Sequence, residues 1–288
     1  MQLTSEAPAS FRSSAERPGP IGLVREGILD ALSRKRLILY LVQADLKKKG
    51  ADTLLGNIWW VLDPLLQMLV YVVLVSVIFQ RGQDDYPLFI FAAILPWKWF
   101  LSSIQDGTGS VVSQERLIKQ IHFPKIVLPV ASVASGIVNF AFGLIPLLAL
   151  LVVFYSDRLS AWILVIPVIA LVQFAFTLPV AMVLGAFNVF YRDISNVSRH
   201  VLRLWFYLSP GLYAIEELRK ASAEYPAVGQ LLLLNPFATL FTAYRDVIYN
   251  TRAPDWASLG GLAVASLVVL ALATWIFKRL EPSFAKVL

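Results

Sequence analysis

Long apolar stretches alternate with short polar segments along most of the chain. Six stretches have the character of membrane spans: 58–79, 88 to about 109, 126–154, 161–190, 201 to about 215, and 257–277. A helix rises 1.5 Å per residue, so roughly 20 apolar residues cross the hydrocarbon core of a bilayer. The second stretch is interrupted by Pro96, Lys98 and Asp106, and the fifth is broken around Pro210. The pattern predicts an all-α integral membrane protein with six transmembrane helices.

The polar segments before the first span carry patterns of their own. Residues 1–20 lack an apolar run and are predicted to be a disordered cytoplasmic tail. In the following region, residues 21–55, apolar side chains recur at helical spacing: Ile28, Leu32, Leu39, Val42 and Leu46. This stripe predicts one amphipathic helix lying on the inner leaflet, or else a soluble helix packed on a partner. Residues 56–288 are assigned to the six-span transmembrane domain.

Charge and composition support this arrangement. The 288-residue chain is 58% hydrophobic and only 15% charged, whereas an average soluble domain is about 25% charged. The segments predicted to be cytoplasmic hold 16 Lys and Arg residues, and the outer segments hold 6. Because cationic residues favour cytoplasmic loops, this bias places both termini inside. The same bias accounts for the net charge of +6, so nucleic-acid binding is not needed to explain it.

A short basic segment, residues 113–125, separates the second and third spans. Leu117, Ile118 and Ile121 recur at helical spacing until Pro124, which predicts a short helix with one apolar face. Such a helix offers an attachment point for another protein. The alternative is an ordinary connecting loop whose charges only fix the topology.

An unusual outer segment, about 216–250, lies between the fifth and sixth spans. After Asn235 and Pro236, apolar side chains recur at helical spacing: Phe237, Leu240, Phe241, Tyr244 and Ile248. The stretch is too short to cross the membrane twice. Two re-entrant helices on the outer face satisfy both facts, provided that protein or a cavity covers their backbone. An exposed amphipathic hairpin is the alternative.

The sequence offers no recognisable catalytic centre. It lacks the phosphate-binding pattern G-x-x-x-x-G-K-[ST], the zinc pattern H-E-x-x-H and the nucleophile pattern G-x-S-x-G. It has no Cys, which excludes disulfides and Cys-ligated metal, and its two His residues are His122 and His200. We therefore predict neither a metal site nor an enzymatic activity in this chain.

The first span carries a polar and aromatic stripe. Trp59, Trp60, Asp63, Gln67 and Tyr71 follow the three- and four-residue spacing of one helix face. Lipid does not favour an Asp and a Gln, so the stripe is predicted to face the protein interior or a wet cavity. For the two tryptophans, an aromatic belt at the inner interface is the alternative.

Six sequence elements resemble those of the permease subunits of ABC-2 type exporters for lipid-linked polysaccharides, the family that exports O-antigen, wall teichoic acid and galactan. They stand in the family's order as LGNIWWVLDPLLQMLVY (55–71), ILPWKWF (94–100), ERLIKQIHFPKIVLP (115–129), FNVFYRDI (187–194), SPGLY (209–213) and NPF (235–237). Together they span nearly the whole chain after the tail. Gly211 takes the place of a bulkier residue in the Ser-Pro-x-x-Tyr element.

The resemblance implies a homodimeric permease that pairs with two copies of a separate ATPase subunit. That subunit binds ATP and Mg, so no cofactor is expected in this chain. The resemblance also implies an interface helix, a coupling helix at about 113–125 and gate helices at about 216–250. Coupling falls on residues of the basic segment: Glu115, Arg116, Leu117, Ile118, Lys119, His122 and Phe123. Leu117 and Ile118 are expected to insert into a cleft of the ATPase.

A path for the lipid-linked glycan through the cytoplasmic membrane is implied as well. We expect the stripe on the first span to form one wall, because aromatic rings stack on sugar faces. The opposite wall is assigned to the broken fifth span: Trp205, Phe206, Tyr207 and Tyr213. Two alternative functions are a membrane-embedded transferase of envelope glycan or lipid assembly, and an ABC-2 efflux permease for drugs or lipids.

Overall fold

The computed structural model describes residues 18–51, 55–80, 82–224, 232 and 234–288. Within these residues the secondary structure is helical, without strands. Five helical stretches are long and apolar enough to cross a membrane: Trp59–Ile78, Tyr86–Gln120, Val127–Phe154, Ala161–Phe190 and Trp256–Val287. The prediction of an all-α, multi-pass membrane protein is confirmed at this level. Most of the predicted tail, residues 1–17, lies outside the described part of the chain.

Eleven α-helices follow one another in the described residues. They are α1 (Pro20–Ser33), α2 (Lys35–Gly50), α3 (Trp59–Val72), α4 (Tyr86–Ser113), α5 (Glu115–Gln120), α6 (Val127–Phe154), α7 (Ile166–Phe190), α8 (Ile194–Leu208), α9 (Ile215–Glu224), α10 (Pro236–Ile248) and α11 (Trp256–Val287). Helix α3 continues as a π-helix at Val73–Ile78, and a 3-10 helix at Ala161–Val165 leads into α7.

Helix α4 is the centre of the bundle. It packs against α3, α6, α7, α8 and α10, and 78% of the apolar window in its span is buried, against 6% in Trp59–Ile78. Glycines permit its closest contacts. A Cβ atom on Gly185 of α7 would lie 2.7 Å from the Gly107 carbonyl oxygen, and one on Gly136 of α6 would lie 2.6 Å from Trp99 Cδ1. Helices α6 and α7 therefore reach α4 because small residues stand at the crossings.

The predicted interface helix is two helices. The backbone leaves the helical region at Arg34, with φ −103° and ψ 27°, which separates α1 from α2. Helix α1 packs on α11, and α2 packs on α6. Two ion pairs fasten α1 to α11, because Lys278 Nζ of α11 lies 3.0 Å from Glu26 and 2.8 Å from Asp30. Lys278 also pairs with Glu281 of its own helix at 2.9 Å.

The fifth predicted span is displaced along the sequence. Helix α8 begins at Ile194 and ends at Leu208, whereas the apolar run predicts a span from 201 to about 215. Polar residues on one face, including Arg199 and Arg203, hide the first turns of this helix from a search for continuous apolar residues. At the other end Pro210 stops the helix, because proline lacks the backbone N–H and restricts the residue before it.

Asn235 joins the break after α8 to the start of α10. Its Nδ2 donates to Ser209 Oγ at 2.8 Å, while its Oδ1 accepts from Trp205 Nε1 at 2.9 Å. The same Oδ1 accepts from the backbone N–H of Phe237 at 3.0 Å. Asn235 is therefore the N-cap of α10 and a bridge to α8 at once.

Arg245, near the C-terminal end of α10, contacts the non-helical segment after α8, residues 209–213, which we call the joint. Its side chain is 4% exposed and donates to the carbonyl oxygens of Pro210 at 2.6 Å and Tyr213 at 3.2 Å, and also to that of Gly211. Its Nε donates to the Phe89 carbonyl at 3.3 Å, and the guanidinium lies 3.6 Å from the Phe89 ring centroid. One buried cation thus satisfies backbone groups that the broken helix leaves without partners.

Polar contacts also bring together the three segments predicted to lie outside the membrane. Arg158 pairs with Asp85 at 2.6 Å and donates to the Tyr249 carbonyl at 2.7 Å. The Tyr249 hydroxyl donates to the Asp84 carbonyl at 2.6 Å. The loops before α4, after α6 and after α10 therefore share one end of the bundle.

Replacing Arg245 with Leu is expected to destabilise the protein strongly. Each buried carbonyl left without a donor costs on the order of 1–3 kcal/mol, and Arg245 is the donor to three carbonyls in the non-helical segment after α8. Arg36→Leu is the matched control, because Arg36 lies exposed on α2. Thermal unfolding of the purified variants in detergent is the measurement. Equal shifts of the unfolding midpoint in both variants would show that Arg245 does not hold the joint.

Candidate functional site

The inner half of the predicted stripe lies against a cavity. Trp59, Trp60 and Asp63 of α3 line a space of about 370 Å³ that α4 and α6 close from the other side. Helix α4 contributes Leu95, Lys98, Trp99 and Ser102, and α6 contributes Asn139, Phe140 and Gly143. The Trp60 ring also packs edge-on against Phe142, with centroids 5.2 Å apart.

An ion pair crosses this cavity. Lys98 Nζ donates to Asp63 Oδ2, so an α4 cation faces an α3 anion within the membrane-spanning part of the chain. The sequence showed Lys98 only as an interruption of the second span. The sequence could have predicted a polar environment for Lys98, because an ionisable residue inside an apolar span is costly and marks a functional or polar-facing position.

The outer half of the stripe meets α8. The rings of Tyr71 and Phe206 lie 5.9 Å apart, and the Tyr71 hydroxyl interacts with the side chains of Gln67 and Tyr207. Phe206 in turn packs on Trp97 of α4, with centroids 5.2 Å apart. The structure therefore brings together four of the residues proposed for the two walls.

Two other residues proposed for the second wall have different surroundings. Trp205 points into the bundle, where its ring lies edge-on to Phe100 at 5.5 Å and to Phe237 at 5.9 Å. Tyr213 lies in the non-helical segment after α8, and its backbone carbonyl is held by Arg245. The surroundings of Trp205 favour a packing role, while those of Tyr213 place it at the joint. Their assignment to the path stays a prediction.

The basic segment forms a helix shorter than its predicted range. Helix α5 covers Glu115–Gln120, and the backbone is extended at Ile121. Ile118 and Phe123 are buried inside this chain, with 5% and 6% exposure, and Leu117 is half-buried. Lys119 Nζ lies 2.7 Å from both Glu115 Oε1 and the Leu288 carbonyl oxygen.

The outward surface of this segment is therefore more polar than expected. The expectation that Ile118 inserts into a partner does not fit its position, because its side chain packs within the bundle. The exposed residues are Ser113, Arg116, Lys119, Gln120, Ile121 and His122. Of these, Ile121 supplies the apolar surface, and it is 50% exposed.

A second, polar cavity lies beside this segment. It measures about 360 Å³ between α2, α4 and α6, and Asp45, Lys48 and Asp106 are among its lining residues. Lys49 Nζ pairs with Asp106 at 2.7 Å and with Asp45 at 2.8 Å. Burial disfavours the ammonium, but the attraction of Asp106 and Asp45 outweighs it, so that the pKa of Lys49 is raised. The pairing ties α2 to α4.

Comparisons with known proteins agree with these features. The family model described as ABC-2 type transporter matches residues 36–249. The O-antigen export system permease protein RfbA of Myxococcus xanthus is 35% identical over 266 residues, which cover 92% of this chain and 99% of that protein. Two proteins of the same name from Klebsiella pneumoniae are 26% and 25% identical, each over 88% of this chain and 95% of their own length. This chain belongs to the ABC-2 type transporter family.

Proposed function

We propose that this chain is the permease subunit of an ATP-driven exporter that moves a lipid-linked polysaccharide across the cytoplasmic membrane. The 35% identity to a permease named for O-antigen export, over nearly the whole of both chains, carries this proposal. The geometry agrees with it, since the Tyr71 ring of α3 meets the Phe206 ring of α8, and the polar side chains of Gln67 and Tyr207 lie beside them. Rings with interspersed polar groups suit a sugar chain that must slide.

A sixth crossing of the membrane is part of the proposal. Helix α8 is too short to count among the long apolar helices, yet its two ends lie at opposite ends of the bundle. Phe190, shortly before α8, packs on Phe284 near the end of α11. Leu212, shortly after α8, accepts a hydrogen bond from Tyr86 at the start of α4 at 3.1 Å. With six crossings, both termini lie on the cytoplasmic side.

The proposed assembly contains two copies of this chain and two ATPase subunits. ATP and Mg bind to the ATPase, so the permease itself carries no cofactor and catalyses no reaction. Helix α3 and its π-helical continuation leave a row of apolar side chains uncovered, which either lipid or a second copy of the chain can cover: Leu66, Leu69, Val70, Val73 and Val77. The neighbouring outward face of α8 adds Val197, Val201 and Leu204. A second copy is proposed to cover part of this surface.

Helix α5 and the residues after it are proposed as the docking surface for the ATPase. The surface available to that partner consists of the exposed residues around Ile121, with Arg116, Gln120 and His122 at its edge. Apolar insertion supplies most of the affinity in such a contact, while the charges orient it. Re-entrant gate helices are proposed for α9 and α10, at the end of the bundle that faces away from this surface.

Depletion of the permease tests the export function directly. If the chain exports a lipid-linked polysaccharide, that lipid accumulates on the inner side of the membrane when the chain is removed. Lipid extraction from depleted and complemented cells, followed by mass spectrometry, is the measurement. Accumulation of an incomplete lipid-linked precursor, to which a sugar has not been transferred, would instead favour the transferase alternative. Unchanged glycan lipids together with raised drug sensitivity would favour drug efflux.

Ile121→Glu is expected to release the ATPase while the permease stays folded. An exposed isoleucine can be changed without creating an internal cavity, and the loss of its burial in a partner corresponds to about 1.5–3 kcal/mol, or about ten- to a hundredfold in affinity. Leu159→Glu is the control, because Leu159 is comparably exposed at the opposite end of the bundle. Co-purification of the ATPase with tagged permease is the measurement. If Ile121→Glu retains the ATPase as well as Leu159→Glu does, α5 is not the docking site.

Gln67→Leu is expected to lower glycan export about fivefold, because a hydrogen bond offered to the moving sugar is worth about 1 kcal/mol. Tyr71→Ala is expected to lower export further, since it also removes the ring. Leu171→Ala, on the outward face of α7, serves as the control. Export is measured by appearance of the glycan at the cell surface, with permease abundance and ATPase association checked in parallel. Unchanged export in both variants would reduce Gln67 and Tyr71 to packing between helices.

A further inference from the structure

The cavity between α3, α4 and α6 contains a cation with unused hydrogen-bonding capacity. A lysine ammonium has three donors, and among the described residues Lys98 Nζ contacts one acceptor, Asp63. The two side chains differ in freedom, because the Lys98 side chain is 24% exposed and that of Asp63 is 62% exposed. The lysine is thus held in the wall, whereas the carboxylate is free to move aside.

The remaining lining adds aromatic and amide groups. Trp59, Trp60, Trp99 and Phe140 supply ring surface around the ion pair. Asn139 Oδ1 is buried and has no hydrogen-bond partner in the described part of the chain. A buried acceptor without a partner is costly, and a ligand hydroxyl would satisfy it. Cation, aromatic rings and amide together fit a phosphate attached to a sugar.

The position of the cavity points to a lipid headgroup. Trp59 is the first residue of α3, and Asp63 lies about one turn further on, so the cavity lies near the end of α3 that joins the basic, cytoplasmic side. Tyr71 and its neighbours on α8 lie about two turns beyond Asp63 on the same helix. The cavity is therefore a separate place from the cluster that Tyr71 forms with Phe206 and Tyr207.

We propose that this cavity binds the phosphate and first sugar of the lipid-linked glycan in the inner leaflet, with the phosphate taking the place of Asp63 on Lys98. The sugar lies against the tryptophans, and one of its hydroxyls donates to Asn139. The proposal rests on the proposed export function and names a loading site for its substrate. Asp63 acts as a competing internal anion, which stays paired with Lys98 until the phosphate arrives.

The natural absence of Cys allows a direct binding test. Ser102 lines this cavity and Ser132 lines the polar cavity between α2, α4 and α6. Both are helical serines that bond to a backbone carbonyl of the preceding turn, at 3.1 Å and 3.2 Å. Ser102→Cys and Ser132→Cys are thus matched single-thiol variants. The full-length chain is placed in phosphatidylcholine nanodiscs, and the rate of maleimide labelling is measured with increasing amounts of a probe lipid.

Three probes separate the possible ligands: a polyprenyl diphosphate carrying one hexose, phosphatidylglycerol, and additional phosphatidylcholine. The sugar-bearing diphosphate is expected to slow labelling of Ser102→Cys and to leave Ser132→Cys unaffected. Equal protection by phosphatidylglycerol would overturn the assignment to a lipid-linked sugar, since it would show a general anionic-lipid site. Protection by no probe, or of both thiols alike, would overturn the site itself.

If the ion pair takes part in binding, substitutions of its two residues are expected to change the probe concentration for half-protection in opposite directions. In the Ser102→Cys background, Lys98→Gln is expected to raise the probe concentration for half-protection by about tenfold or more, because a charged donor is lost. Asp63→Asn is expected to lower that concentration, because the competing anion is gone, and Lys98→Arg is expected to retain protection. If Lys98→Gln and Asp63→Asn act in the same direction, the pair only tethers α3 to α4, and the proposal fails.

Failure here is distinguishable from failure of the export function. If depletion of the permease accumulates a glycan lipid but no probe protects Ser102→Cys, export stands and the loading site is wrong. If depletion accumulates no glycan lipid and the sugar-bearing probe gives no protection, both proposals fall together.

Discussion

A buried arginine holds together the end of the bundle at which α8 breaks off. Helix α8 stops before Pro210, and a helix that stops inside a membrane protein leaves backbone carbonyls where water is scarce. Arg245 brings donors to these carbonyls from α10, and its contact with Phe89 fixes the joint to α4. The last turn of α8 carries Phe206 and Tyr207. Their position opposite α3 therefore depends on this one side chain.

Ion pairs attach the peripheral helices α1, α2 and α3 to the rest of the bundle. Helix α3 buries little of its surface. Because lipid tails are as apolar as its side chains, the hydrophobic effect contributes little to its association with the bundle. Its pair with Lys98 of α4 supplies an attachment. The Lys49–Asp106 pair fastens α2 to α4, and Lys278 fastens α1 to α11. Glycines allow α4 and α7 to pack closely, and two buried hydrogen bonds join them, from Gln173 Nε2 to the Pro96 carbonyl at 2.7 Å and from Asn188 Nδ2 to the Thr108 carbonyl at 3.0 Å.

The sequence predicted what depends on neighbouring residues and missed what depends on distant ones. Long apolar runs are a local property of the sequence, and five of the six predicted spans match long apolar helices. The amphipathic start of α8 was missed because Arg203 and its polar neighbours interrupt the apolar run. Tyr71 and Phe206 were assigned to opposite walls and do meet. The pairing of Lys98 and the burial of Ile118 required the fold, since a helical spacing shows that residues share a face but not which neighbour that face meets.

Under the proposed docking role, the attachments of α5 determine where a force from the ATPase acts. Only Gln114 separates α5 from α4, so the docking helix continues directly into the central helix of the bundle. Its Lys119 holds the carbonyl of Leu288, and the Lys125 backbone N–H donates to Glu281 at 2.5 Å. Glu281 also pairs with Lys278, which reaches α1. A displacement of α5 therefore acts on α4 through the backbone and on α11 and α1 through charged contacts, while α3 is reached through α4 and α6, and α8 through α4 and α7.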